Sequence, residues 1–366
     1  MKKKVAIATL YANNNFGNKL QNYAAQEIIK EVTGFSVYTI VNYYEKYKII
    51  KVLKDFFKYI LHHKDYTPKD LKREKNFKIF DRNINKGKLA TSYRYPNKKL
   101  DNIYDYFLVG SDQVWNQTTG RINDLFLLNF VGNSQKKISF SASLGTDKLF
   151  TESENQVKKY ISDFYSISVR EESAKKIVGN ITGREDVEVL LDPTMSLDIE
   201  KWDRVSKRPK QFDEKNFDGI KFILLYFLGE YTNERKLVIE QFAQDNNCSI
   251  INVLDKDDDF YNCGPSEFIW LEKNAFLVCT DSFHSSVFAI LYKTPFIVFN
   301  RDDGQKGINE MNSRIDTLLK KFELTNNYYN GKIDIDIISK DYSYVDKILE
   351  EEKEKTKKFI KRSFDL

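Results

Sequence analysis

Lys4-Val5-Ala6-Ile7-Ala8-Thr9-Leu10 is an apolar run one strand long, and the polar stretch Asn13-Asn14-Asn15-Phe16-Gly17-Asn18 follows it at once. From there Leu20, Tyr23, Ala24, Ile28 and Ile29 recur at helical spacing. Strand, polar loop, helix is the opening of a parallel α/β domain. Working outward, further strands are predicted at 106–109, 137–141, 166–169 and 187–191, the last just before Asp192-Pro193-Thr194. A second series follows. Strands are predicted at 222–227, 249–253, 276–279 and 296–299, alternating with helices at 234–245, 266–274 and 285–292. Two α/β halves imply two Rossmann-like domains, 1–195 and 220–343. A charged polar linker at 196–219 joins them, and a terminal helix occupies 344–366. Ligands in such folds sit at the carboxyl ends of the strands, which predicts a site facing the interdomain cleft.

A chain of 366 residues suits two domains. Lys plus Arg number 58 against 53 Asp plus Glu, an excess compatible with anionic ligands that selects none of them. Met1-Lys2-Lys3-Lys4 and the apolar residues after it are too short for a signal peptide. No run reaches the roughly 20 apolar residues of a membrane span. Cys248, Cys263 and Cys279 are few and far apart, which suggests a reducing compartment, the cytoplasm, and no metal cluster. Asp255-Lys256-Asp257-Asp258-Asp259 lacks the glycine and distal glutamate of a calcium loop. There is no Walker A pattern and no complete dinucleotide fingerprint. The lysines have no organised aromatic platform, so nucleic acid is not an expected partner. Residues 46–64, which include His62 and His63, form a basic amphipathic pattern with two readings. It docks on its own domain, or it makes peripheral contact with an anionic membrane.

The stretch richest in chemistry is Phe276-Leu277-Val278-Cys279-Thr280-Asp281-Ser282-Phe283-His284-Ser285-Ser286-Val287-Phe288-Ala289-Ile290. A strand ends, polar residues and a histidine follow, and a helix begins. Backbone N–H groups at a helix N-terminus favour an anion, and Ser285 and Ser286 are placed to cap or donate there. His284 is either a proton donor at the rim of the cleft or a structural hydrogen-bond donor.

Thr280-Asp281-Ser282-Phe283-His284-Ser285, with Thr294-Pro295-Phe296-Ile297-Val298-Phe299 after the helix, resembles the C-terminal signature of the polysaccharide pyruvyl transferase family. Other blocks resemble the family in the same order: Asn15-Phe16-Gly17-Asn18-Lys19-Leu20-Gln21; Gly110-Ser111-Asp112-Gln113-Val114-Trp115-Asn116; Ser139-Phe140-Ser141-Ala142-Ser143-Leu144-Gly145; Ser168-Val169-Arg170-Glu171-Glu172; and Asp192-Pro193-Thr194. The resemblance spans about 5–319. It implies a glycosyltransferase-B-like fold of two Rossmann-type domains, with the N-terminal one on the acceptor side and the C-terminal one on the donor side. It further implies transfer of a pyruvyl group from phosphoenolpyruvate to two hydroxyls of a sugar, forming a cyclic ketal and releasing phosphate. The sugar belongs to a surface polysaccharide or its lipid-linked precursor, so the expected place is the cytoplasm, at the inner face of the membrane for a lipid-linked acceptor. No cofactor and no metal is implied.

On that resemblance His284 is the expected general acid, protonating the methylene carbon of the donor. Arg170, with a planar fork suited to phosphate or carboxylate, is an expected donor ligand, unless it pairs with a neighbouring carboxylate. Ser282, Ser285, Ser286 and Arg314 complete the donor set. Several members carry arginine where this chain has Ser282, and Lys19, Arg301 or Arg314 are the candidate substitutes. Asp112 and Asp281 are both candidates for the group that takes the hydroxyl proton; Asp281 has a second reading as an orienting or capping residue. Asn15, Gly17, Asn18, Gln21, Ser111 and Gln113 are the expected acceptor ligands. Trp115 stacks on a sugar or fills the core. Two other functions remain open at this point: a nucleotide-sugar-dependent glycosyltransferase and a non-catalytic glycan-binding assembly protein.

Overall fold

A computed structural model describes residues 2–11, 14–42, 67–117, 120–146, 148–214, 219–301 and 309–366, with the side chains of 309–313 excepted. The basic pattern at 46–64 lies outside the described residues. The chain divides into two compact units. The first comprises Met1–Pro68, Asp81–Ser196 and Glu352–Leu366; the second comprises Lys69–Phe80 and Leu197–Glu351. Among the described residues no helix is long and apolar enough to cross a membrane.

The first unit is built on a seven-stranded sheet. Its strands are β1 (Lys4–Ala8), β2 (Ser36–Asn42), β3 (Lys86–Thr91), β4 (Tyr106–Val109), β5 (Lys137–Ala142), β6 (Ser166–Val169) and β7 (Glu188–Val189). All pairs are parallel, in the order β3-β2-β1-β4-β5-β6-β7. Strands covered on both faces read as unbroken apolar runs, and Val5 to Ala8 and Phe107 to Val109 are accordingly buried. Helix α1 (Phe16–Thr33) starts on Asn15, whose Oδ1 accepts from the Asn18 amide at 3.1 Å, and ends on Gly34 at φ 69°. Strand β1 leads to β2 on one side, while β4 lies on its other side. The loops after β1 and β4 therefore part at the point where the strand order reverses, the usual ligand crevice of this architecture.

The second unit carries a four-stranded parallel sheet, β8 (Phe222–Tyr226), β9 (Ser249–Asn252), β10 (Leu277–Thr280) and β11 (Phe296–Val298), in the order β11-β10-β8-β9. Here the order reverses between β8 and β10. Helix α2 (Pro68–Phe80) belongs here although it precedes most of the first unit in sequence. Its Arg73 donates to Val253 O at 2.9 Å and lies over the Tyr261 ring, and Tyr261 Oη donates to Asp70 at 2.6 Å. Lys69 Nζ donates to the carbonyls of Lys256, Asp257 and Asp258 at 3.0 Å each, so an ammonium fills the turn that mimics a calcium loop.

The expected linker is packed structure. Within 196–219, Trp202 lies edge-on to Phe288 and Phe212 packs on Phe222, Phe260 and Trp270, and both are buried. The terminal helix α3 (Val345–Ser363) gives Val345 and Leu349 to the second unit. It gives Phe359 and Ile360 to the first, where Phe364 follows them edge-on to Tyr106.

Candidate functional site

The crevice of the first unit rests on a buried polar network. Gln21 Nε2 donates to Thr9 Oγ1 at 2.8 Å and to Leu10 O at 3.0 Å, and its Oε1 accepts from the Ser111 amide at 3.1 Å. Ser111 Oγ donates to Asp192 Oδ2 at 2.6 Å, and Thr194 caps the other carboxylate oxygen through its amide (3.0 Å) and hydroxyl (2.7 Å). Gln21 and Ser111, expected acceptor ligands, thus tie the loops after β1 and β4 together from below. Asn15, Asn18 and Gln113 stay partly exposed, and Gly17 is buried at the start of α1. Asp112 stands in the left-handed region at φ 69°, with Oδ1 accepting from the Gln113 amide at 2.9 Å. Trp115 is core: its Nε1 donates to Phe126 O at 3.0 Å and its ring meets Phe164 edge-on.

Gly110 shapes this loop. Its φ is +117°, and a Cβ there would meet Phe140 O at 2.2 Å. A backbone oxygen cannot swing aside as a side chain does. Gly110→Ala is expected to cost about 3 kcal/mol or more, read as a lower urea midpoint at unchanged slope.

Arg170 follows β6 and is buried among carboxylates. Its Nη1 is 2.9 Å from Asp192 Oδ2, Nη2 is 3.6 Å from Asp112 Oδ1, and Nε is 3.9 Å from Glu171 Oε2. Burial lowers the guanidinium pKa, but the charges of Asp192, Asp112 and Glu171 outweigh it and hold it above the ordinary value. Glu171 Oε1 in turn accepts from Ser143 Oγ (2.9 Å) and the Leu144 amide (3.0 Å). The carboxylate that pairs with Arg170 is chiefly Asp192, which has no role in the sequence reading. Its signal was its position one residue before a helix-opening proline.

In the second unit, helix α4 (Phe283–Tyr292) begins two residues earlier than its sequence suggests, with Ser282 as N-cap. The Ser286 amide and Oγ bond back to Ser282 O at 3.1 and 3.0 Å. Ser285 and Ser286 are therefore buried helix interior rather than caps, and His284 lies within the first turn, 8% exposed and edge-on to Phe283. Asp281 closes the crevice between β8 and β10. Its carboxylate accepts from the amides of Leu228 (2.7 Å) and Gly229 (2.8 Å), and Arg301 Nε lies 3.7 Å from it. Arg301 Nη2 also donates to Asp281 O at 3.3 Å. Of the three candidate substitutes for a cation at Ser282, Arg301 is joined to this loop through Asp281. Lys19 pairs with Asp81 at 2.8 Å in the first unit. Arg314 is buried in helix α5 (Asn309–Lys321), which packs on α4.

Behind α4 sits a residue that sequence reasoning missed. Helix α6 (Pro265–Asn274) carries Glu272, fully buried, whose Oε1 accepts from Ser285 Oγ at 2.5 Å. Burial pushes its pKa well above the ordinary 4.5 despite the Ser285 bond. The folded protein then keeps a proton that the unfolded chain releases, so this stabilising contribution is complete below about pH 4.5 and declines as pH rises toward the raised value. Relative to wild type, Glu272→Gln is expected to gain stability as pH rises from 5 to 8 in urea unfolding, and a difference independent of pH would contradict the raised pKa. The signal was its spacing: Glu272 lies four residues after Phe268 and three after Ile269, on the buried face.

Among the described residues no group of three or more His, Cys, Asp or Glu side chains is placed to hold a metal ion. Two parallel sheets, each opening a crevice where its strand order reverses, define a pair of Rossmann-like units of the glycosyltransferase-B-like class. Residues 15–303 match the family described as polysaccharide pyruvyl transferase, and the chain belongs to that family. Membership makes it a transferase with a pyruvyl-transfer role in polysaccharide biosynthesis, acting on a sugar or polysaccharide. Among solved structures, UDP-GlcNAc 2-epimerase from Neisseria meningitidis bound to UDP-GlcNAc is 13% identical, the match covering 97% of this chain and 94% of that one at a TM-score of 0.52. This is a likeness of fold. The UDP-GlcNAc 2-epimerase of Methanocaldococcus jannaschii, in complex with UDP-GlcNAc and UDP, is 16% identical over 91% of this chain and 97% of that one, with a TM-score of 0.46. No curated protein matches the sequence.

Proposed function

We propose that the protein transfers the pyruvyl group of phosphoenolpyruvate to two hydroxyls of one sugar residue, in a polysaccharide or its lipid-linked precursor. The supporting observation is the placement of His284 in the first turn of α4, three residues after an Asp281 that engages Arg301. A proton from His284 to the methylene carbon makes a methyl group and leaves an oxocarbenium-like centre at C2. One sugar hydroxyl adds to C2, phosphate departs with the C2–O bond, and the second hydroxyl closes the ketal. The two hydroxyl protons balance the one placed on carbon and the one carried by hydrogen phosphate. Arg301 is assigned to the phosphate. Arg170, already bound to three carboxylates, is assigned to holding the first unit together. Asp281, with backbone donors on its carboxylate, orients the loop. Asp112 is left as the base, and Asn15, Asn18 and Gln113 as acceptor ligands.

Arg301→Gln is expected to raise KM for phosphoenolpyruvate about 10- to 100-fold, the cost of one charge-assisted contact, measured where the variant is fully folded. An unchanged KM removes Arg301 from the donor site.

A further inference from the structure

Glu272 is a buried acid that the proposed reaction does not use. It reaches α4 through a single hydrogen bond, from Ser285 at 2.5 Å, and both side chains are fully buried. Glu272 Oε2 makes no hydrogen bond among the described residues. Phe268, Ile269 and Leu271 on its own helix are buried, as are Val287 and Phe288 beside Ser285 on α4. Burying a carboxyl group with half its hydrogen-bonding capacity unmet opposes folding, and a leucine–alanine pair would fill such a space without that cost. What the polar pair adds is direction. An apolar contact tolerates rotation of α4 about its axis, whereas a short O–H···O bond fixes which way Ser285 faces. Ser285 follows His284 directly, on the same turn. Thr294 Oγ1, just beyond the end of α4, donates to Glu272 O at 2.8 Å, so the segment carrying α4 is tied to this one residue at both ends.

We propose that Glu272 is a positioning residue: through the hydrogen bond from Ser285 it fixes the first turn of α4 and with it the orientation of the His284 imidazole. The inference rests on the assignment of His284 as the general acid. It predicts that the neutral, isosteric Glu272→Gln behaves as wild type, and that Glu272→Ala and Ser285→Ala do not. A misdirected acid slows the chemical step while leaving donor binding in place, so the loss falls on kcat, about 10- to 100-fold, and not on KM for phosphoenolpyruvate.

The test has two arms on the full chain. In the first, the imidazole of His284 is titrated by NMR, its resonance identified by its absence in His284→Ala. Glu272→Ala and Ser285→Ala are expected to move its midpoint or its chemical shifts, and Glu272→Gln to restore them. This arm needs no turnover, so it decides the inference even where phosphoenolpyruvate proves not to be the donor. The second arm is phosphate release from phosphoenolpyruvate for the same variants. A His284 titration identical in wild type, Glu272→Ala and Ser285→Ala would overturn the inference. So would a Glu272→Gln variant as impaired as Glu272→Ala. If Glu272→Ala does not fold, Ser285→Ala, which deletes one oxygen, carries the comparison.

Discussion

His284→Ala is expected to slow acceptor-dependent phosphate release from phosphoenolpyruvate about 10²- to 10⁴-fold, the usual contribution of a placed general acid. Donor affinity should change far less, because the phosphate is assigned to Arg301 and not to the imidazole. The size of the effect follows from how the neighbouring polar side chains of this loop are already engaged. Asp281 has its carboxylate on the Leu228 and Gly229 amides, and Ser286 is bonded back into the helix. A control guards the result. His284 is buried, 8% exposed, so the variant's urea midpoint is measured alongside its rate and the two proteins are compared where both are fully folded. A rate within tenfold of wild type would remove His284 from the chemistry.

The second large effect falls on stability. Arg170→Ala leaves Asp192, Asp112 and Glu171 facing one another without their shared cation. Removing one partner of a buried ion pair typically costs about 3–5 kcal/mol. A drop of that size should appear as a much lower urea midpoint, with any kinetic loss following from it. Arg170→Lys keeps the charge but not the fork, and should fall between the two. If Arg170 instead binds the donor phosphate, the alanine variant will be stable and its defect will lie in KM.

Much of the first unit was legible because buried parallel strands read as unbroken apolar runs, as Phe107-Leu108-Val109 does. Two strands left no such mark. Strand β2 carries Thr39, whose hydroxyl is used by Asn22 and Gln26 of α1, and β3, at the sheet edge, opens with Lys86-Gly87-Lys88. The strand expected at 187–191 shrinks to Glu188–Val189 because it pairs only with β6. Helix α2 could not be assigned to the second unit from sequence, since its ties run to residues some 180 positions away.

The candidate site was legible by residue but not by role. Adjacent serines 285 and 286 look like caps, but in the fold the Ser286 hydroxyl bonds the carbonyl four residues back and the Ser285 hydroxyl bonds Glu272. Arg170 reads as a ligand from the family resemblance and its planar fork, which suits phosphate or carboxylate. Its carboxylate partners come from three separate loops. Arg301 carried no pattern of its own and stands out only through its contact with Asp281.

The most direct measurement is phosphate release by the wild-type protein given phosphoenolpyruvate and a panel of galactose-, mannose- and glucosamine-containing acceptors, run beside a panel of nucleotide sugars. The account predicts release from phosphoenolpyruvate that depends on one of the acceptors, with a product heavier than the acceptor by one ketal-linked pyruvate. Transfer of a sugar from a nucleotide donor, with phosphoenolpyruvate neither bound nor consumed, would contradict it.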